Sequence, residues 1–279
     1  VNEENHAGIP GSKPSVLCLD EIAKTRQATK DTLAPIIYER RLGNRHMVPG
    51  SIVFCCTNLS EEALGDNMQA HLRNRVLIVR QRPPTKDEWI NDFAVPNKLH
   101  PEVIAAASMY PMVFESFTDY LPGGSKAGKR LSAENPYIAD PANAGQGQVV
   151  TPRSLHAASD VLYDKAGMDE TTLTATLAGT VGEAFAANII SMMRFGEQLP
   201  DYTRVIADPE NCPLSTNATA CCVQVFQFLT VVASKEEAEA ISVYVARMKA
   251  ELKSLFVNAV VNSTVMDKFA LSKTFGDSL

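Results

Sequence analysis

The sequence predicts an α/β fold over residues 1–82 and an all-helical remainder to residue 279, and three observations carry that reading. Short apolar runs at 16–19, 51–56 and 76–79 have the length of buried strands and are separated by polar or turn-rich segments. Pro83-Pro84 then closes the strand-like region. Beyond it, apolar residues recur three and four positions apart, the spacing of amphipathic helices.

Taken in order, residues 1–14 are polar and rich in Gly and Pro, a loop without the apolar core of a signal peptide. Val16-Leu17-Cys18-Leu19 is expected to be a strand covered on both faces, running into Asp20-Glu21. A helix is expected from Thr25 to Arg41, with Leu33, Ile36 and Ile37 on one face and Pro35 kinking or shortening it. Gly43-Asn44 and Pro49-Gly50 are turns bracketing a short polar hairpin. Ser51 to Cys56 is a second strand, closed by Thr57-Asn58, and Val76 to Val79 a third.

Thr85 opens a helix around Trp89, with Asp87 and Glu88 well placed in its first turn. Residues 122–149 form an extended loop, and Thr151-Pro152 starts a helix reaching about residue 166. Three amphipathic helices follow. The first is lined by Leu177, Val181, Phe185, Ile189 and Met192, the second by Cys221, Cys222, Val225, Phe226 and Leu229. The last opens on the box Ser234-x-x-Glu237 and runs to Phe256.

Composition narrows the function classes. A net charge of −6 makes no general case for nucleic acid, although Arg73, Arg75, Arg80 and Arg82 form a local basic cluster. No apolar run approaches the length of a membrane span. Six cysteines without a C-x-x-C pair, mostly in apolar segments, suit a reducing, cytoplasmic setting. The five histidines show no metal-ligand spacing.

Paired acids at the carboxyl end of a buried strand lie where open α/β sheets bind ligands. There the first acid can hold Mg²⁺ and the second can polarise a water for phosphoryl transfer. A core strand running into a solvated turn is the plainer alternative.

The order of parts resembles the AAA+ ATPases, and among them the MoxR-like branch. Val16 to Glu21 is similar to that family's Walker B strand, Thr57-Asn58 to its sensor 1, and Arg75 in Leu72-Arg73-Asn74-Arg75-Val76 to its arginine finger. Thr151-Pro152-Arg153 resembles sensor 2, and Glu88-Trp89-Ile90-Asn91-Asp92-Phe93-Ala94 a motif that follows the family's sheet.

The resemblance implies the C-terminal half of a P-loop NTPase-like αβα core in residues 1–82, a helical lid in 83–175 and a helical extension in 176–279. It implies Asp20 on Mg²⁺, Glu21 activating water, and Asn58 holding that water or the γ-phosphate. Arg75, or Arg73, would reach a neighbouring subunit's ATP, and Arg153 would contact the nucleotide from the lid. The partners implied are the other subunits of a ring, a homo-hexamer, and a client protein to be remodelled.

Gly123-Gly124-Ser125-Lys126-Ala127-Gly128-Lys129 has P-loop spacing, but Arg130 stands where Ser or Thr should reach Mg²⁺, and no strand precedes it. The family's Walker A loop precedes Walker B, so the chain is expected to be the C-terminal part of the ATPase. The alternative is a non-catalytic helical scaffold retaining the fold. A metal-dependent nuclease lacks further carboxylates at useful spacing.

Overall fold

The computed structural model describes residues 13–57, 75–79, 81–141, 143 and 145–278. It combines a small parallel sheet with a largely helical chain and divides between Arg82 and Pro83 into two compact units.

In the first unit, β1 (Val16–Leu19) pairs in parallel with β4 (Ile52–Cys55), in the register Val16↔Ile52 to Leu19↔Cys55. Between them lie α1 (Gln27–Glu39) and a hairpin of β2 (Arg41–Leu42) and β3 (Arg45–His46) around Gly43-Asn44. The helix is shorter than expected at both ends and continues through Pro35. It buries Ala34 and Ile36 and packs against β4.

The strands are not covered on both faces. Leu17, Leu19, Val53 and Cys55 are half-buried, whereas Cys18, Ile52 and Phe54 are exposed and Val16 is 68% exposed. Side chains alternate across a strand, so cover on one side leaves every second residue in water. The strand expected at 76–79 is also absent. Those residues pair with no strand among the described residues, and Leu77 is 91% exposed. Apolar composition makes a run competent for a strand, but only a neighbouring edge can satisfy its backbone.

The second unit is a helical assembly around one large core, with a small separate cluster of Tyr120, Leu131 and Ile138. Thr85 caps its first helical turn with Glu88 in a reciprocal box. The chain then widens at Trp89–Ala94, where the Val95 amide donates to the Ile90 carbonyl five residues back. Next come α2 (Pro101–Met109), α3 (Pro152–Tyr163), α4 (Glu170–Val181), α5 (Glu183–Gly196) and α6 (Tyr202–Ala207). The chain ends with α7 (Ala218–Val231), α8 (Lys235–Ala246), α9 (Ala250–Val261) and two short helices, Met266–Phe269 and Lys273–Ser278.

Residues 103–107 of α2 are all fully buried, as expected of a helix apolar on every side, and α5 and α7 pack against it. The core runs from Trp89 to Phe269, so helices on both sides of position 175 share it.

Three helical expectations need correction. The loop at 122–149 contains a helical turn at Leu131–Glu134. The segment lined by Leu177 to Met192 is two helices, because Gly182 has φ +81° and lies against the Gln148 carbonyl. The segment from Ile241 to Phe256 is also two, broken after Arg247, whose guanidinium donates to the carbonyls of Pro209 and Cys212. At the start of α8, Ser234 Oγ accepts the Glu237 amide, and Glu237 Oε2 accepts the Ala233 amide at 2.7 Å. Among the described residues, no helix is long and apolar enough to cross a membrane.

Candidate functional site

The parallel register places the carboxyl ends of β1 and β4 side by side. The Cys56 amide donates to the Leu19 carbonyl at 3.0 Å, and the Ile22 amide returns a bond to the Cys56 carbonyl at 3.3 Å. Asp20 and Glu21 therefore leave β1 next to Thr57 at the end of β4, and all three are exposed. Asp20 Oδ1 accepts the Glu21 amide at 2.9 Å, which tightens the turn. Beside them, the Cys18 thiol is raised above its ordinary pKa by partial desolvation, by its neighbour Cys56 and by the Asp20 charge.

Glu21 has φ +52° and ψ +34°, left-handed backbone that a residue with a Cβ adopts at a cost of roughly 1–2 kcal/mol. Arg40 and Lys98 share this backbone, at φ +51° and +54°. The Glu21 carboxylate accepts from Lys24 Nζ at 2.7 Å, three residues on. Both side chains are well exposed, so the pair contributes well under 1 kcal/mol once solvent screening is counted, and a ligand can exchange it.

Arg75 is exposed, and its guanidinium lies 4.9 Å from the centre of the Tyr38 ring, on the last turn of α1. A surface cation–π contact of about 0.5–1 kcal/mol orients the guanidinium without burying its charge. Asn58 and Arg73 lie outside the described residues. Arg153 belongs to the second unit, where it is the exposed second residue of α3. Thr151 Oγ1 accepts the Ser154 amide at 3.0 Å and Ser154 Oγ accepts the Thr151 amide at 2.8 Å, which fixes the helix start. A cation there opposes the helix dipole by roughly 0.3–1 kcal/mol, a penalty that a nearby anion would reverse.

The hard carboxylate oxygens of Asp20 suit Mg²⁺. Among the described residues, no group of three His, Cys, Asp or Glu side chains could enclose an ion. Of the described side chains at this edge, Asp20 would be one contact to such an ion.

The glycine-rich loop at 123–129 is occupied otherwise. Lys126 Nζ donates to Glu115 Oε1 at 2.6 Å, and Glu115 Oε2 accepts from Tyr120 Oη at 2.8 Å and Asn135 Nδ2 at 3.1 Å. A Cβ on Gly124 would stand 2.3 Å from the Asp119 carbonyl. Lys126 and the backbone at Gly124 thus serve the fold, while Lys129, the lysine of the P-loop spacing, is exposed and pairs with Glu134 at 3.3 Å.

Two neighbours of the candidate site escaped sequence reasoning. Lys24 was readable from its spacing three residues after Glu21. Tyr38 was not, because Arg75 lies too far along the chain for any local signal. Compared with models of known protein families, with characterised proteins and with solved structures, the chain shows no match.

Proposed function

We propose that this chain carries the hydrolytic edge of a MoxR-like AAA+ ATPase, which works as a ring, a homo-hexamer, and remodels a client protein. The observation that carries the reading is the Asp20-Glu21 pair, which leaves the carboxyl end of one parallel strand beside the end of its neighbour.

In this account Asp20 would be the residue that holds Mg²⁺. The bound ion would neutralise charge on the phosphate oxygens. Glu21 exchanges Lys24 for a water and draws that water's proton as it attacks the γ-phosphate, while the bond to the bridging oxygen breaks and ADP leaves with inorganic phosphate as the second product. Asn58, with a donor and an acceptor, orients the same water. Arg75 or Arg73 reaches a neighbouring subunit's nucleotide, where a permanent planar cation stabilises transition-state charge. Arg153 turns its unfavourable place at a helix start into affinity for phosphate.

The Lys24–Glu21 pair and the extensive helical core support a second reading, a non-catalytic scaffold that keeps the fold for assembly. Equilibrium binding of ATP to the intact protein separates the two. The ATPase reading expects binding that weakens when Mg²⁺ is chelated, and an Asp20→Asn variant that loses most of that Mg²⁺ dependence. Absence of ATP binding with or without Mg²⁺ would leave the scaffold.

A further inference from the structure

The exposed side of the small sheet carries two thiols. Cys18 pairs in register with Phe54, so Cys56, two residues on, lies on the same face one step beyond it. Both cysteines are exposed, and Cys56 is a side-chain hydrogen-bond neighbour of Cys18. Backbone bonds fix Cys56 beside β1: its amide donates to the Leu19 carbonyl at 3.0 Å, and its carbonyl accepts the Ile22 amide at 3.3 Å. The remaining thiols are placed differently. Cys55 is half-buried on the opposite face, and Cys212, Cys221 and Cys222 are buried in the helical unit.

Among the described residues, no third His, Cys, Asp or Glu side chain joins the pair to enclose a metal ion. Two neighbouring thiols that solvent reaches can still bond to each other. Diagonal neighbours on paired strands stand about 7–8 Å apart at Cα, and disulfides span up to about 6.8 Å. Closure therefore draws the end of β4 toward β1 by roughly 1 Å. Strained, exposed disulfides are the easily reduced class that serves as switches.

We infer that Cys18 and Cys56 form a reversible disulfide on exposure to hydrogen peroxide, a modification site at the strand ends that carry Asp20 and Glu21. One thiol takes an oxygen from the peroxide and becomes a sulfenic acid, releasing water. The second sulfur then displaces that hydroxyl, which leaves with the second thiol's proton as another water. An S–S bond forms, two S–H bonds and the peroxide O–O bond break, and two electrons pass from sulfur to oxygen. Because the Cys56 carbonyl holds the Ile22 amide, the bond also tethers the turn at Asp20-Glu21. It forms whether or not that turn serves a nucleotide.

Treating the intact, reduced protein with hydrogen peroxide and mapping its peptides without reductant tests the assignment. Wild type is expected to give an intramolecular Cys18–Cys56 link, a chain lighter by two hydrogen atoms, and full return of both thiols with dithiothreitol. Cys18→Ser should reduce the linked product at least about tenfold, whereas Cys55→Ser should keep it. A wild type in which Cys18 and Cys56 stay free, or are oxidised without joining one another, would overturn the inference. So would a link that survives Cys18→Ser, or one that joins two chains.

Discussion

At the residue scale, the contrast between Glu21 and Glu115 separates a carboxylate held loosely from one held by the fold. Glu21 is exposed and strained, and among the described residues its carboxylate pairs with Lys24 alone. Burial alone would raise the Glu115 pKa, but hydrogen bonds from Lys126, Tyr120 and Asn135 outweigh it and hold the group below its ordinary value. A lowered folded-state pKa adds stability that is fully present above the unfolded value and is lost as pH falls through the folded one. Glu115→Gln should therefore lower stability near neutral pH by roughly 1–2 kcal/mol. It should also reduce the further loss on acidification below about pH 4.5, because the paired carboxylate is gone. Denaturant unfolding across the acid range checks this. Equal stability and equal acid sensitivity in both proteins would mean that the Glu115 network contributes nothing.

At the element scale, single residues decide where helices stop. Gly182 has φ +81°, and a Cβ there would stand 2.3 Å from the Gln148 carbonyl. Gly182→Ala should cost at least about 2 kcal/mol through clash and strain together, a drop of a few degrees in Tm for a unit of this size. A thermal midpoint equal to wild type would show that the loop at Gln148 yields freely.

The same residue shows what could be read from the chain. The caps at Thr85, Thr151 and Ser234 were legible because each is a local pattern of a hydroxyl and a following polar residue. The break at Gly182 was not, because apolar periodicity runs straight across it and the obstructing carbonyl lies in a loop over thirty residues upstream. The 16–19 and 51–56 strands were legible from composition, but their exposed face was not, since cover on a sheet is supplied by other elements. Residues 76–79 carried the same signal without a partner edge among the described residues. At the candidate site, Asp20 and Glu21 could be read as a strand-end pair, whereas the ring beneath Arg75 could not.

At the scale of the whole molecule, the chain joins a small α/β unit that exposes Val16, Ile52, Phe54 and Leu42 to a larger helical unit with a continuous core. Exposed apolar and basic groups are concentrated in the first unit, net acidity in the second. That division suits a protein whose small unit makes contacts and whose large unit supplies stability, and the proposed chemistry sits on the small unit's strand ends. The most direct test is ATP binding and turnover by the intact protein carrying Glu21→Gln beside wild type. Removing the group that activates water while leaving Asp20 in place should preserve nucleotide binding and slow hydrolysis by roughly 100-fold or more. Turnover equal to wild type in that variant would remove Glu21 from the chemistry and contradict the account.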